Sequence, residues 1–335
     1  MRRWIFPLAV VALLAVLIAR RTELDELALT LARGRWPWVA AAAVLQGAYY
    51  LLYAALCRAA FGVVGMRSRF REVLVVLLGS MFANVVVPSG GAAGAALFMD
   101  DAARRGESPA RAAAGLLLAM TAILTALALV LAGSLVYLAR RHELQGLEVW
   151  GAVALAAMDA GLILLLVLGL RFPRALHALL GGAASAQGAV SRALRLPGGP
   201  RAGWAEGISG EFVAVAAALR AQPLGPARLL ALALAMTGLD VASLGALFLA
   251  FRQAPWPGVV VAGYAFGILS WLLSPVPQGI GVVEGVMTLV YSSLGVRPEP
   301  ATLIVLSFRG LTFWLPMFAG FLLLRRLRSL RPGAR

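Results

Sequence analysis

Two apolar runs broken in the same way, 189 residues apart, constrain this chain more than any other feature of its 335 residues. The first break reads Val87, Pro88, Ser89, Gly90, Gly91 and is followed by Gly106, Glu107, Ser108, Pro109, Ala110, Arg111, Ala112. The second reads Val276, Pro277, Gln278, Gly279, Ile280, Gly281, followed by Gly295, Val296, Arg297, Pro298, Glu299, Pro300, Ala301. One ungapped offset of 189 places Val87 on Val276, Pro88 on Pro277, Gly90 on Gly279, Gly106 on Gly295, Pro109 on Pro298 and Ala112 on Ala301. The match indicates an internal repeat, with halves at approximately 36–138 and 227–324. Apolar segments interrupted at corresponding positions of two halves are, in a membrane protein, the usual pointer to a substrate site.

That the runs lie in a membrane follows from composition. Hydrophobic residues make up 61% of the chain and charged residues 13%, with a mean hydropathy of +0.87. A soluble domain of this size does not look like that. The basic side chains, two His apart, are 30 Arg without a Lys, against 15 acids, giving a net charge of +15. The Arg residues fall between apolar runs and not along one polar face, which fits loops held against an anionic membrane surface and argues against a nucleic-acid partner. The lone Cys57 excludes an intramolecular disulfide and a Cys-based metal site. His142 and His177 stand at segment ends without metal-ligand spacing, so neither a metal nor a cofactor is expected. Met1, Arg2, Arg3 and the apolar stretch to Ala19 resemble a signal peptide in charge and length. Arg20 and Arg21 follow without a small-residue cleavage site, favouring an uncleaved first span.

Runs near the ~20 residues that cross a bilayer lie at 4–19, 36–56, 112–138, 149–170, 227–251 and 301–324. The punctuated regions 72–104 and 258–294 remain, each with two arms of about 16 residues, or ~24 Å at the helical rise. The expected fold is an all-α polytopic membrane protein, a single transmembrane domain over 1–335 with about six full spans plus two helical hairpins, re-entrant or short-spanning. Charge decides the parity, because cytoplasmic loops are rich in Arg. If each hairpin enters and leaves on one face, 21 Arg fall on the side of the N-terminus and 8 on the other, with Arg309 inside a span; if each crossed once, the tally would be 14 against 15. The first arrangement places both termini in the cytoplasm. Three spans then separate the hairpins, so the first enters from the cytoplasm and the second from outside, an inverted pair whose tips approach inside the membrane.

At each tip a new half-helix begins, near Gly90 or Gly91 and near Gly279 or Gly281. Glycine lets the backbone approach a ligand, and a helix N-terminus presents unpaired N–H groups with partial positive charge, so two such termini suit a phosphate. Asn84, Ser89 and Gln278 add neutral donors beside the turns. Within apolar segments stand Asp159, Asp240, Glu284 and Arg309. Each would cost roughly 2.5 to 3.5 kcal/mol at the centre of a helix if left without a partner, so they face the protein interior or water. Glu284 falls about two turns into the second half-helix; Arg309, near mid-span, can meet a phosphate or pair with an acid. Asp100 and Asp101, beside Arg104 and Arg105, read as a solvated charged rim. The long segment 171–228 carries Ile208, Phe212, Val215 and Leu219 at helical spacing and reads as a cytoplasmic amphipathic anchor, broken by loops at Gly181, Gly182 and at Pro197 to Pro200.

The stretch Asn84 to Ala112, with its N-x-x-x-P-S-G-G core, and the stretch Pro275 to Trp314, with P-x-P-x-G-x-G-x-x-E and the run from Arg309 to Pro316, resemble the flippase-like transmembrane domain of bacterial lysylphosphatidylglycerol synthases. The resemblance implies a protein of the bacterial cytoplasmic membrane that moves a phospholipid or lipid-linked head group between leaflets. Its substrate-binding residues would be Asn84, Pro88, Gly90, Gly91, Pro277, Gly279, Gly281, Glu284 and Arg309. The chain ends at Arg335, so the aminoacyl-transferase domain of fused members is not expected and neither is synthesis of lysyl lipid. Where relatives carry charge in the first half, this chain has Ala93, Ala95 and Met120, the last at the position equivalent to Arg309, which sets a cationic lysyl substrate in doubt. The expected function is a non-enzymatic lipid transporter, with homo-oligomers possible. The phosphate would rest on the half-helix N-termini and Arg309, with any amine near Glu284 or Asp240. A membrane enzyme acting on lipid-linked substrates and an ion or small-solute carrier are the alternatives. Against the enzyme stand the lack of a metal-ligand cluster, of a His in a span and of paired carboxylates on a polar loop.

Overall fold

The computed structural model describes residues 34–87, 91–141, 222–274 and 279–323, with scattered positions between 157 and 220. The proposed span 4–19, most of 149–170 and of the loop 171–228, the end of the chain from 324, and Pro88, Ser89, Gly90, Asp159, Pro277 and Gln278 lie outside the described residues. Within them the chain is helical, with no strand.

The continuous described segments hold eight helices, in chain order: α1 Trp36–Val63, α2 Phe70–Val86, α3 Ala92–Arg104, α4 Pro109–Arg141, α5 Gly225–Ala250, α6 Pro257–Leu273, α7 Val282–Ser293 and α8 Pro298–Leu323. Helices α1, α4, α5, α6 and α8 start with a proline in their first two residues, where the missing N–H is one of the orphan donors anyway. Four helices, α1, α5, α8 and α4 over Pro109–Tyr137, are long and apolar enough to cross a membrane, and they coincide with four of the six spans read from the sequence. Polytopic membrane architecture follows from these four.

Between the long helices lie two antiparallel hairpins. In the first, Asn84 near the end of α2 meets Gly94 near the start of α3 (2.8 Å), while Arg105 just past α3 meets Glu72 at the start of α2 (3.1 Å). In the second, the Tyr291 hydroxyl near the end of α7 donates to the carbonyl of Val260 in the first turn of α6 at 3.2 Å. The arms are unequal where the sequence suggested equal ones: α2 and α6 have 17 residues each, α3 13 and α7 12. The short arms begin late because Gly91 (φ +94) and Gly281 (φ +81) are left-handed N-caps, and they stop before Gly106 and Gly295. At 1.5 Å per residue the arms reach about 18 to 26 Å, less than the ~30 Å hydrocarbon core.

The offset of 189 carries α1 onto α5, α2 onto α6, α3 onto α7 and α4 onto α8, with starts agreeing to within two residues. The packing follows it. Helix α2 packs on the C-terminal part of α8 as α6 packs on α4, α1 touches α4 as α5 touches α8, and α1 and α5 form the most extensive seam with each other. In that seam the Ser243 hydroxyl donates to the Ala42 carbonyl at 3.0 Å. Buried apolar side chains form two clusters, one around the first hairpin with Phe61, Phe82 and Phe98, the other around the second with Phe248, Tyr291 and Phe308. Lipid tails are as apolar as these side chains, so close backbone approach has to hold the helices together. Gly263 and Gly267 leave room for Tyr291 and Met287, and Gly320 lets α8 lie against the Leu78 carbonyl of α2.

Asp101 departs from its sequence reading. It is 6% exposed and paired with Arg105 at 2.8 Å, so it is part of a buried clamp with Glu72 and not a solvated rim; Asp100, with Arg104 at 2.9 Å, stays nearer the surface. The cause is tertiary: α3 turns Asp101 toward α2, where Arg105 bridges two carboxylates.

Candidate functional site

A cavity of about 300 Å³ lies among α1, α2, α4, α5, α6, α7 and α8. Two of its walls come from equivalent register. Met120, Ile123, Leu124 and Leu127 of α4 face it, and adding 189 to each gives Arg309, Thr312, Phe313 and Pro316 of α8, which face it too. The i, i+3, i+4, i+7 spacing is one face of a helix in both cases. The tip-proximal ends of both hairpins reach it as well, through Asn84 of α2 and Trp271 of α6.

Arg309 is the one cationic side chain among the described lining residues. Its Nε donates to Glu284 Oε1 at 2.8 Å, with side-chain exposures of 14% and 21%. Its guanidinium carbon stands 5.6 Å from the centre of the Phe313 ring. The other carboxylate oxygen, Glu284 Oε2, accepts the Gly281 N–H at 2.7 Å, so the acid reaches back to cap its own helix. Both oxygens of Glu284 are therefore engaged, one by Arg309 and one by the start of its own helix. The donor at Gly281 expected to meet a phosphate is likewise taken. At the first tip the neutral Asn84 does the equivalent work, its Oδ1 accepting the Gly94 N–H.

Past Arg309 the last helix widens into a π-helical turn, Gly310–Trp314. Pro316 has no N–H to offer the Thr312 carbonyl four residues before it, and the Tyr50 hydroxyl of α1 fills the gap at 3.1 Å. A π turn within a transmembrane helix commonly marks a functional position, and this one sets Arg309 and Thr312 on the cavity wall.

Asp240 lines the same cavity from α5, its Oδ2 accepting the Tyr264 hydroxyl at 3.1 Å. The structure thus brings Asn84, Asp240 and Arg309 to one cavity wall, with Glu284 joined to it through Arg309 and Gly281 tied to Glu284, while Gly91 and Gly279 hold the turns. Gln46, Tyr49, Tyr50 and Tyr53 of α1 complete the wall, and the three rings pack edge to face with centroids 5.1 and 6.1 Å apart. Sequence reasoning missed these four. The signal was present: 46, 49, 50 and 53 form a polar stripe at helical spacing on an otherwise apolar span.

Among the described residues no group of three or more His, Cys, Asp or Glu is placed to hold a metal ion. A family model described as the lysylphosphatidylglycerol synthase TM region matches residues 4–320. Comparison with curated proteins gives no match.

Proposed function

Because the chain belongs to the family of lysylphosphatidylglycerol synthase transmembrane regions, we propose that it is a transporter moving a phospholipid or lipid-linked head group between the leaflets of the bacterial cytoplasmic membrane. One observation carries the reading: a cavity inside the helix bundle, walled at the same four register positions by both halves, whose one cation among the described lining residues is Arg309. With the span read at 149–170 between them, the halves run in opposite directions through the membrane as an inverted repeat, with re-entrant hairpins and both termini cytoplasmic. A site between two such halves opens to either face by rocking one against the other.

The head group enters as an anion. A phosphate competes with Glu284 for Arg309, and when it takes the guanidinium, the helix cap at Gly281 is the other contact that holds Glu284 in place. The volume, at the lower end of the roughly 300–1,000 Å³ of small-molecule sites, suits a head group with its acyl chains left in the bilayer. The protein acts as a carrier and leaves the lipid chemically unchanged.

Proteoliposomes carrying fluorescent phospholipids, read by quenching of the outer leaflet, test this. Movement of phosphate-bearing lipids, with several glycerophospholipids competing within about tenfold (~1.4 kcal/mol), is the expected result. Equal movement of a neutral lipid without phosphate would overturn the assignment of Arg309. Conversion of the lipid in detergent would make the protein an enzyme, and flux of a soluble solute without lipid movement would make it a solute carrier.

A further inference from the structure

We propose that Asp240, with Gln46 and Tyr264, forms a proton-binding site in the wall of the cavity, and that the site takes up a proton as an anionic head group enters. The second clause rests on the transport reading above; the first does not. Asp240 stands near the midpoint of α5 and is 4% exposed, and Gln46, on α1, is fully buried. An ionisable residue at such a depth is costly and is kept where it handles ions or protons.

The polar atoms do not balance as they stand. Asp240 Oδ2 has the Tyr264 hydroxyl, but Asp240 Oδ1 and both amide atoms of Gln46 are left without a well-formed hydrogen bond, although the Gln46 amide lies close enough to act on both Asp240 and Tyr50. Three buried orphans on two neighbouring side chains are expensive. A proton on Oδ1 removes two of them: the new O–H donates to Gln46 Oε1. When the proton leaves, a half-turn of the amide presents Nε2–H to the bare Oδ1. A primary amide carries a donor and an acceptor on one plane, and its two orientations are not distinguished by position alone. Gln46 therefore has one orientation for each protonation state of Asp240. The exchange is balanced: one O–H bond forms at Oδ1 from a proton delivered by cavity water, and the same bond breaks on release.

The surroundings set the direction of coupling. Helix α6 contributes Tyr264, α1 contributes Tyr49, Tyr50 and Tyr53, and α8 contributes Arg309, while α4 faces the cavity with Met120, Ile123, Leu124 and Leu127, none of which titrates. The Arg309 charge is matched by Glu284. An arriving phosphate adds negative charge to a low-dielectric space, and Asp240, the one carboxylate among the described lining residues, offsets it by binding a proton.

Infrared difference spectra of the purified protein in lipid, taken across a pH series, read the first clause directly. A carboxylic-acid C=O band that titrates, disappears in Asp240→Asn and shifts in Tyr264→Phe is expected. A spectrum without such a band, or a band that survives Asp240→Asn, overturns the site; should Asp240→Asn not fold, a band unmoved by Tyr264→Phe has the same force. For the second clause, short-chain phosphatidylglycerol added to weakly buffered protein is expected to cause proton uptake, and an imposed pH gradient to alter fluorescent-lipid movement, both lost in Asp240→Asn. Lipid movement that ignores a pH gradient but follows a sodium gradient overturns proton coupling while leaving lipid transport intact. A titrating band in a protein that moves no lipid upholds the proton site and defeats the transport reading.

Discussion

At the base of the first hairpin Arg105 lies 2.8 Å from Asp101 and 3.1 Å from Glu72; at the tip of the second, Arg309 lies 2.8 Å from Glu284. The tie at the opposite end is uncharged in each case. The first tip is tied by the Asn84 amide to Gly94, and the second base by the Tyr291 ring, which stacks edge-on against Phe248 and reaches the Val260 carbonyl. Two hairpins of one backbone plan thus carry their charge at opposite ends. The two hairpins follow similar paths with different chemistry: a clamp at the base of one, a pair at the cavity in the other. The packing diverges as well. Gly263 and Tyr291 fit against each other, and the positions 189 residues earlier hold Leu74 and Ala102, so the large side chain has changed arms.

Substitutions at matched places break or sharpen this contrast. The largest effect is expected from Arg309→Gln or Glu284→Gln. Each leaves a largely buried partner alone at a cost of about 3 kcal/mol, and each should abolish lipid movement. Unfolding curves in micelles together with the leaflet assay read both. Next comes Gly263→Val, which drives a side chain into the Tyr291 ring and is expected to cost about 2 kcal/mol. Leu74→Val at the matching position should cost about 1 kcal/mol or less, since it only trims a side chain. Equal losses would show that the two hairpins pack alike after all.

Asn84→Ala removes the acceptor that caps Gly94 and is expected to cost about 1 kcal/mol, slowing lipid movement without stopping it. A variant as inactive as Arg309→Gln would mean that the neutral tip binds substrate as strongly as the charged one. Smallest of all should be Glu72→Gln. Its side chain is 27% exposed and Asp101 still holds Arg105, so a loss of about 0.5 kcal/mol and unaltered transport are expected. Any loss of transport there would give the basal clamp a role in the cycle.

The long helices and the hairpins were legible because both depend on local pattern. Apolar length marked α1, α4, α5 and α8, and Pro–Gly punctuation marked the turns between α2 and α3 and between α6 and α7. Arg309 and Glu284 were legible as costly charges that needed company, yet their mutual pairing was one of several open possibilities, because the 25-position separation between them passes through a helix end and a loop whose geometry only the fold fixes. Asp101 was misread for the same reason. The π turn at Gly310–Trp314 had one local sign, Pro316, but a proline predicts a missing bond and not which neighbour will supply it; the Tyr50 hydroxyl comes from 262 residues away.

The double variant Arg309→Gln with Glu284→Gln tests most directly whether the charged tip is a binding site. Glu284→Gln keeps the shape of the acid and its amide oxygen still accepts the Gly281 N–H, and the shorter side chain of Arg309→Gln leaves no buried charge without a partner, so the double protein should unfold close to wild type. With no cation facing the cavity it should still move no phospholipid in the leaflet assay. Near-normal stability with no transport is the result this account predicts; near-normal stability with wild-type transport would show that Arg309 and Glu284 only neutralise each other.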